Sequence, residues 1–336
     1  MNATIIEIFF FILLVIFTPP RKAESSNLLG FEQTNSIRGI AILMVVLMHT
    51  SCNLGIRAFT PFGGIGVALF LMLSGYGLSE SFKKKGCKGY WSNKVRKIWV
   101  PYIVVLTIVK VWNSSFDTHT ILQYLCIDSP FWYISFLFYN YVLFYLCHRC
   151  SRLYKFRFVL FIVWGCLLFF FDSRIRAEQC LCFVTGMWLS ENKKNVYRYI
   201  GKKRETLALV SLLVFVSFTA LLIKQIPACR YLIEHYRLLQ NFSELLIKYP
   251  FAFALILAFS AYATLLKKRA CSILVGNRFL TYCSTISLEL YMVHFSLLQL
   301  LSKEHPIVSL YMFLILSFVL STILYYSIKY IFRWKK

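Results

Sequence analysis

Acidic residues are scarce. Aspartate and glutamate number 14 against 37 lysines and arginines in 336 residues, and charge of both signs reaches only 15%. Soluble domains run at about 25% charged and about 45–50% apolar. This chain is 59% apolar and 18% aromatic, with a mean hydropathy of +0.64. The deficit excludes a soluble protein and makes the chain an integral membrane one.

Other patterns are missing too. Eleven cysteines are scattered without a disulfide framework or a paired zinc spacing. The single CxxC, Cys147-His-Arg-Cys150, is one pair, and the thiols read as small hydrophobes; no metal site is expected. The apolar stretch Ala3–Thr18 carries Glu7 and ends in Pro19-Pro20, with neither a basic n-region nor an Ala-x-Ala site. A cleaved signal peptide is therefore disfavoured. No internal repeat stands out, and no soluble domain remains once the apolar segments are placed.

A net charge of +23 raises the question of nucleic acid, but its distribution argues against that partner. Basic residues alternate between rich and poor connectors, which is how a polytopic chain sets its orientation. Spans are read near 37–54, 63–80, 98–114, 131–148, 156–171, 177–190, 206–223, 248–266, 280–301 and 307–328. Several are shorter than the roughly 20 residues of a full crossing. Tryptophans 91, 99, 112, 132, 188 and 334 lie near span ends, as interfacial belts do. One side collects Arg21, Lys22 and Arg38, the cluster Lys83–Lys97, Arg149–Arg157, Lys193–Arg204, Lys267–Arg278 and Lys329–Lys336. The bias is roughly three to one and makes that side cytoplasmic. The longest external connector is 224–247. The expected fold is all-α: a polytopic transmembrane helical bundle of about ten core spans. Residues 1–30 form an apolar segment plus a cytoplasmic linker, and 31–336 the membrane domain. Residues 3–18 are either an extra helix with its N-terminus outside or an interfacial segment.

Two residues inside the first core span are costly. Arg38 and His49 share the segment Ile37-Arg-Gly-Ile-Ala-Ile-Leu-Met-Val-Val-Leu-Met-His49. Arginine at mid-helix costs about 2.5–3.5 kcal/mol on the most lenient scale. Eleven residues of helix rise about 16 Å and rotate by a net of about 20°, so guanidinium and imidazole share one stripe half a bilayer apart. A cytoplasmic arginine beside the basic run 83–97 suits a polyanion, since guanidinium pairs phosphate bidentately. Lys83–Lys85 read more simply as topology-setting charges. An imidazole in lipid suits general-base work, although a core histidine bonded to a carbonyl has the same sequence signature.

His294 lies sixteen residues beyond Arg278, at a depth matching His49. Tyr291 shares its face, whereas Glu289 is turned about 140° away and reads as an ion partner or a helix-packing bonder. In Gly63–Leu78 the glycines 64, 66, 75 and 77 admit a neighbouring backbone or a thin ligand.

Together these segments resemble acyltransferase family 3, the integral-membrane O-acyltransferases. The resemblance rests on Arg38…His49, Gly64-Ile-Gly-Val-Ala-Leu-Phe-Leu-Met-Leu-Ser-Gly-Tyr76 and Lys94-Val-Arg-Lys-Ile-Trp-Val-Pro-Tyr102. It continues through Phe131-Trp-Tyr-Ile134 and Ser287-Leu-Glu-Leu-Tyr-Met-Val-His294, in the family's order. The family's Arg-x-x-Arg appears as Lys94-x-x-Lys97 with Arg96 between, keeping charge but not bidentate geometry.

The resemblance implies a multi-pass cell-membrane acyltransferase of the class transferring groups other than aminoacyl groups. Acyl, most simply acetyl, passes from cytoplasmic acyl-CoA to a hydroxyl of an extracytoplasmic polysaccharide or glycolipid. His49, Arg38 and His294 are the catalytic candidates. Arg38, Lys94, Arg96 and Lys97 would hold the acyl-CoA co-substrate; no cofactor is expected to bind tightly. Ser74, Tyr76, Trp132, Glu289 and Tyr291 would line the substrate pocket. His49 acts either as general base or as transient acyl carrier. The hydrolase-like domain fused to some relatives is absent, so the acceptor site is expected within the membrane domain and its loops. The alternative from another class is a transporter of a glycan or lipid-linked intermediate.

Overall fold

A computed structural model describes residues 2–19, 28–266 and 273–332. The basic residues Arg21, Lys22, Lys267–Arg269, Arg333, Lys335 and Lys336, with Cys271 and Trp334, lie outside the described residues. Among the described residues there are helices and no strand. In chain order they are α1 (Asn2–Phe17), α2 (Phe31–Asn53), α3 (Thr60–Lys85) and α4 (Tyr90–Lys94). One π-helical turn, Val95–Trp99, joins α4 to α5 (Val100–Trp112), followed by α6 (His119–Tyr124) and α7 (Trp132–Arg149). Then come α8 (Ser151–Lys155), α9 (Arg157–Phe171), α10 (Arg174–Ala177), α11 (Cys182–Glu191), α12 (Lys193–Ile200), α13 (Lys203–Gln225) and α14 (Pro227–His235). The chain ends with α15 (Arg237–Leu266), α16 (Arg278–Thr285), α17 (Ser287–Ser296) and α18 (Pro306–Ile331).

Among the described residues five helices, namely α2, α3, α13, α15 and α18, are long and apolar enough to cross a membrane. In α13 only 11% of the most apolar window is buried, with Leu207, Phe215 and Phe218 exposed. An apolar helix left bare is solvated by lipid, not by water.

Three expected elements differ. The connector 224–247 is helical, covered by α14 and the first turns of α15. Pro227 sits at the start of α14, where its missing N–H is no loss. A span expected at 280–301 breaks at Ile286 into α16 and α17, and one expected at 177–190 is divided between α10 and α11. Pro250 lies inside α15, where it frees a carbonyl of the preceding turn. One residue from the carbonyl so freed, Ser217 of α13 donates to that of Ile247, tying α13 to this turn of α15.

The core is set by backbone approaches that only glycine permits. A Cβ at Gly186 of α11 would stand 1.9 Å from the Met72 carbonyl oxygen, and one at Gly75 of α3 would stand 2.2 Å from that of Phe183. Gly66 would strike Ala41 of α2 at 2.6 Å. These small residues thus seat α3 between α2 and α11, the tight helix interface the sequence offered as one of two readings.

Helix α1 lies antiparallel along α2. At one end Thr50 donates to Glu7 (2.6 Å). At the other, Asn277 donates to the carbonyls of Val15 (2.9 Å) and Thr18 (3.2 Å), beside Ser36, which accepts from the Gly276 N–H. Residues 113–131 fold back along α5. Trp99 donates to the Tyr124 carbonyl (2.9 Å), and Tyr102 to that of Gln123 (2.5 Å).

Candidate functional site

Helix α2 carries Arg38 and His49 on one stripe, as spacing required. Their surroundings differ completely. Arg38 faces a cavity of about 850 Å³ walled by α2, α3, α4, α7 and α17. Gly77 of α3 forms the opposite wall; a Cβ there would stand 3.7 Å from the guanidinium.

The Arg38 end of the cavity is strongly cationic. Lys85, Lys88, Lys94, Arg96, Lys97 and Lys329 line it with Arg38, and among the described residues Glu289 is its one carboxylate. Neither Arg38 nor Lys94 has an ion-pair partner within 4.0 Å among the described residues. The Lys94 ammonium lies 3.8 Å from the centre of the Tyr141 ring. Burial, and then the neighbouring Arg38, Lys97 and Lys85, pulls it down from the ordinary lysine range to about 7. An anion brought into the cavity would counter the repulsion from these cations and favour the ammonium again.

At its other end the cavity narrows to Val45, Val67, Phe70 and Tyr291. His49 lies one turn beyond Val45, and His294 one turn beyond Tyr291. Neither imidazole lines the cavity. His49 is half-buried and His294 fully buried.

The two imidazoles are bonded to each other. His49 Nδ1 lies 2.9 Å from His294 Nε2, and His294 Nδ1 lies 2.6 Å from the Leu290 carbonyl oxygen. A carbonyl only accepts, so His294 Nδ1 carries a hydrogen and, in the neutral ring, its Nε2 carries a lone pair. His49 must then donate from Nδ1, which leaves His49 Nε2 unprotonated. The chain Leu290–His294–His49 fixes a tautomer with its basic nitrogen turned away from the pair. Phe295 packs edge-on against His49 (ring centres 5.6 Å apart), and Phe131 packs against Phe295 (6.0 Å), holding the ring's orientation.

The expected pocket residues divide. Ser74, Glu289 and Tyr291 line the cavity, as do Arg38, Lys94, Arg96 and Lys97. Tyr76 and Trp132 do not. The Tyr76 hydroxyl donates to the Leu28 carbonyl (2.9 Å), pointing at the connector before α2. Trp132 sits beside Phe136, while its neighbour Tyr133 enters the cavity with Leu137, Tyr141 and Phe144. That i, i+4, i+8, i+11 series is a single helix face, so the signal was present one residue from the one chosen. Glu289 makes no ion pair among the described residues. Of the lysines read as topological charges, Lys83 is tied to Glu80 and Ser190, but Lys85 lines the cavity.

In the CxxC, Cys147 is buried and Cys150 exposed, and the ten described cysteines are all free thiols. No group of three metal-ligating side chains occurs among the described residues.

The histidine pair thus lies one helical turn beyond a cavity lined by cations. The family described as an acyltransferase domain, acyltransferase family 3, matches residues 32–329, and the chain belongs to that family. The protein is thus a membrane acyltransferase. No curated protein and no solved structure matches it.

Proposed function

We propose that this protein transfers an acyl group, most simply acetyl, from cytoplasmic acyl-CoA to a hydroxyl of an extracytoplasmic polysaccharide or glycolipid. The observation that carries the reading is the hydrogen-bond chain from the Leu290 carbonyl through His294 to His49, one helical turn beyond a cavity lined by seven cations.

The donor's phosphates would sit among Lys85, Lys88, Arg96 and Lys97, where several cations share several negative charges, with Arg38 and Lys94 further in. Its pantetheine arm would follow the slot beside Gly77 toward Val45 and Tyr291. The acceptor hydroxyl would approach His49 from the half-buried side outside the chamber. As the hydroxyl oxygen attacks the thioester carbonyl, His49 Nε2 takes its proton. The resulting imidazolium strengthens the hydrogen bond from Nδ1 to neutral His294, because a charged donor bonds more strongly than a neutral one. Collapse of the tetrahedral adduct breaks the C–S bond, and the departing thiolate takes the proton from His49. The ester and free CoA thiol result, with atoms and charge balanced.

The test is acyl transfer from radiolabelled acetyl-CoA in membranes holding matched amounts of each variant. His49→Ala is expected to lower transfer by about 10²- to 10⁴-fold, the usual worth of a positioned base. Acylation at the wild-type rate in that variant would remove His49 from the reaction.

A further inference from the structure

A second, smaller cavity of about 220 Å³ adjoins the first. Trp91, Val95 and Trp99 form one wall, on the α4 and π-turn segment. Ile134 and Phe138 of α7 form the other, and Leu125 and Cys126, of the folded-back segment 113–131, also line it. Lys94, Ile98 and Tyr141 are common to both cavities. Apart from Lys94 its lining is apolar or aromatic, so a polar pantetheine arm would find few partners in it.

The cavity has a direction. Trp91 stands near the basic mouth, whereas Ile134 lies one turn from Phe131, whose ring neighbours Tyr291 and Phe295 beside the histidine pair. Tyr102 and Phe131 pack edge-on (6.2 Å) between the cavity's inner end and His49. A donor's acyl group lodged here could not meet the imidazole. At the rim Val95 is 37% and Leu125 50% exposed, so the cavity opens on the outer surface of the bundle, which in a membrane is lipid-facing.

We propose that this cavity seats one hydrocarbon tail of an anionic phospholipid, with the headgroup on the basic segment Lys88–Lys97. The tail would descend from the level of Trp91 toward Leu125 and Ile134, the course of a lipid chain in the leaflet at the Arg38 end. Filling an apolar pocket from a bilayer gains little, since lipid tails are as apolar as the residues they would touch. Selection therefore falls to the headgroup. The segment offers Lys88, Lys94, Arg96 and Lys97 and no acidic residue, the charge pattern that attracts anionic headgroups. Its volume admits a single chain and no peptide. Tryptophans flanking the opening fit the interfacial level, where a headgroup gives way to its tail. The headgroup would meet Lys88, Arg96 and Lys97, the cations also proposed for the donor's phosphates, so the cavity is tested with no acyl donor present.

The test is native mass spectrometry of the full chain purified from an equimolar mixture of phosphatidylglycerol and phosphatidylcholine with identical tails. One phosphatidylglycerol should be retained per chain, in roughly five- to tenfold excess over phosphatidylcholine. Ile134→Phe, which fills the inner cavity, should abolish retention of both lipids. Val95→Phe fills it from the exposed rim, where the fold is least at risk, and should do the same. Lys88→Gln combined with Arg96→Gln should leave retention but erase the headgroup preference. Wild-type retention in both filling variants would overturn the proposal, as would equal retention of the two lipids by the wild-type chain. If the filling variants keep their lipid but lose only the use of long-chain acyl-CoA, the cavity belongs to the donor and the proposal is wrong.

Discussion

The chain keeps two groups of charges within its apolar body and treats them in opposite ways. Between α10, α13 and α15, Lys224 pairs with Glu244, Glu244 with Lys248 (2.9 Å), and Lys248 with Glu178. Gln179 donates to Glu178 (3.4 Å) and to the Gly64 carbonyl (3.0 Å), binding this ladder to α3. Every charge in it is spoken for. Around Arg38 and Lys94 the reverse holds: cations face a cavity without a carboxylate within pairing distance among the described residues. Desolvated charge that is fully paired holds helices together. Desolvated charge without a carboxylate partner stands to gain most from an anionic ligand. The difference separates fastening from binding within one molecule, without reference to any relative.

The two groups should therefore fail differently. The largest effect is expected in the ladder. Lys248→Met leaves Glu178 and Glu244 facing each other in the interior, and removing one partner of a buried pair costs about 3–5 kcal/mol. Thermal unfolding in detergent should register the loss, while the specific activity of the surviving folded fraction stays near wild type. A mutant that unfolds normally but no longer transfers acyl groups would erase the distinction.

Arg38→Gln should do the opposite. The fold should keep its melting temperature, because no ion pair is broken. The KM for the acyl donor should rise by about 10- to 100-fold, the worth of about 1.5–3 kcal/mol for hydrogen bonds to a charged group. Arg38→Lys should recover little of it, since a point charge cannot reproduce bidentate pairing. Equal losses in melting temperature would place Arg38 with the ladder.

The effect of pH is smaller and has a definite sign. Lys94 loses its proton near pH 7 in the empty cavity, and only the ammonium attracts phosphate. Donor affinity should be highest below pH 7 and fall as pH rises through it, by at most about tenfold per pH unit. Lys94→Gln should flatten that part of the KM profile. A profile unchanged by the substitution would show that Lys94 does not meet the donor. The smallest expected effect is in α1. Glu7→Gln retains a bonding partner for Thr50 and should change activity less than twofold. Glu7→Ala removes one of three acceptors of the Thr50 hydroxyl, leaving the Val46 and Leu47 carbonyls, at a cost of about 1 kcal/mol read as a shift in melting temperature.

Much of the site was legible because it lies on single helices. Arg38 and His49 are linked by helical arithmetic alone, and counting depth from Arg278 put His294 level with His49. The misplacements were matters of phase. Tyr76 and Trp132 sit in the right segments but turn to the wrong side, since a sequence motif does not say which of two adjacent residues faces inward. The ladder was hidden for another reason. Its members come from positions 178, 224, 244 and 248, and the stretch 224–247 carries enough charge to pass for a connector. Its charges are tolerated in a helix only because their partners arrive from α10 and α13.

Composition settled that this chain belongs in a membrane, because 59% apolar residues with 15% charge have no soluble solution. Periodicity settled that Arg38 and His49 share a stripe, because the helix allows no other geometry. Three things waited for tertiary structure: the hydrogen bond between the two histidines, the chamber that stops one turn short of them, and the pairing that sets one group of buried charges apart from the other. Each depends on contacts between different helices, such as His49 with His294 and Lys248 with Glu178, and a local repeat carries no information about which distant helix will pack against it.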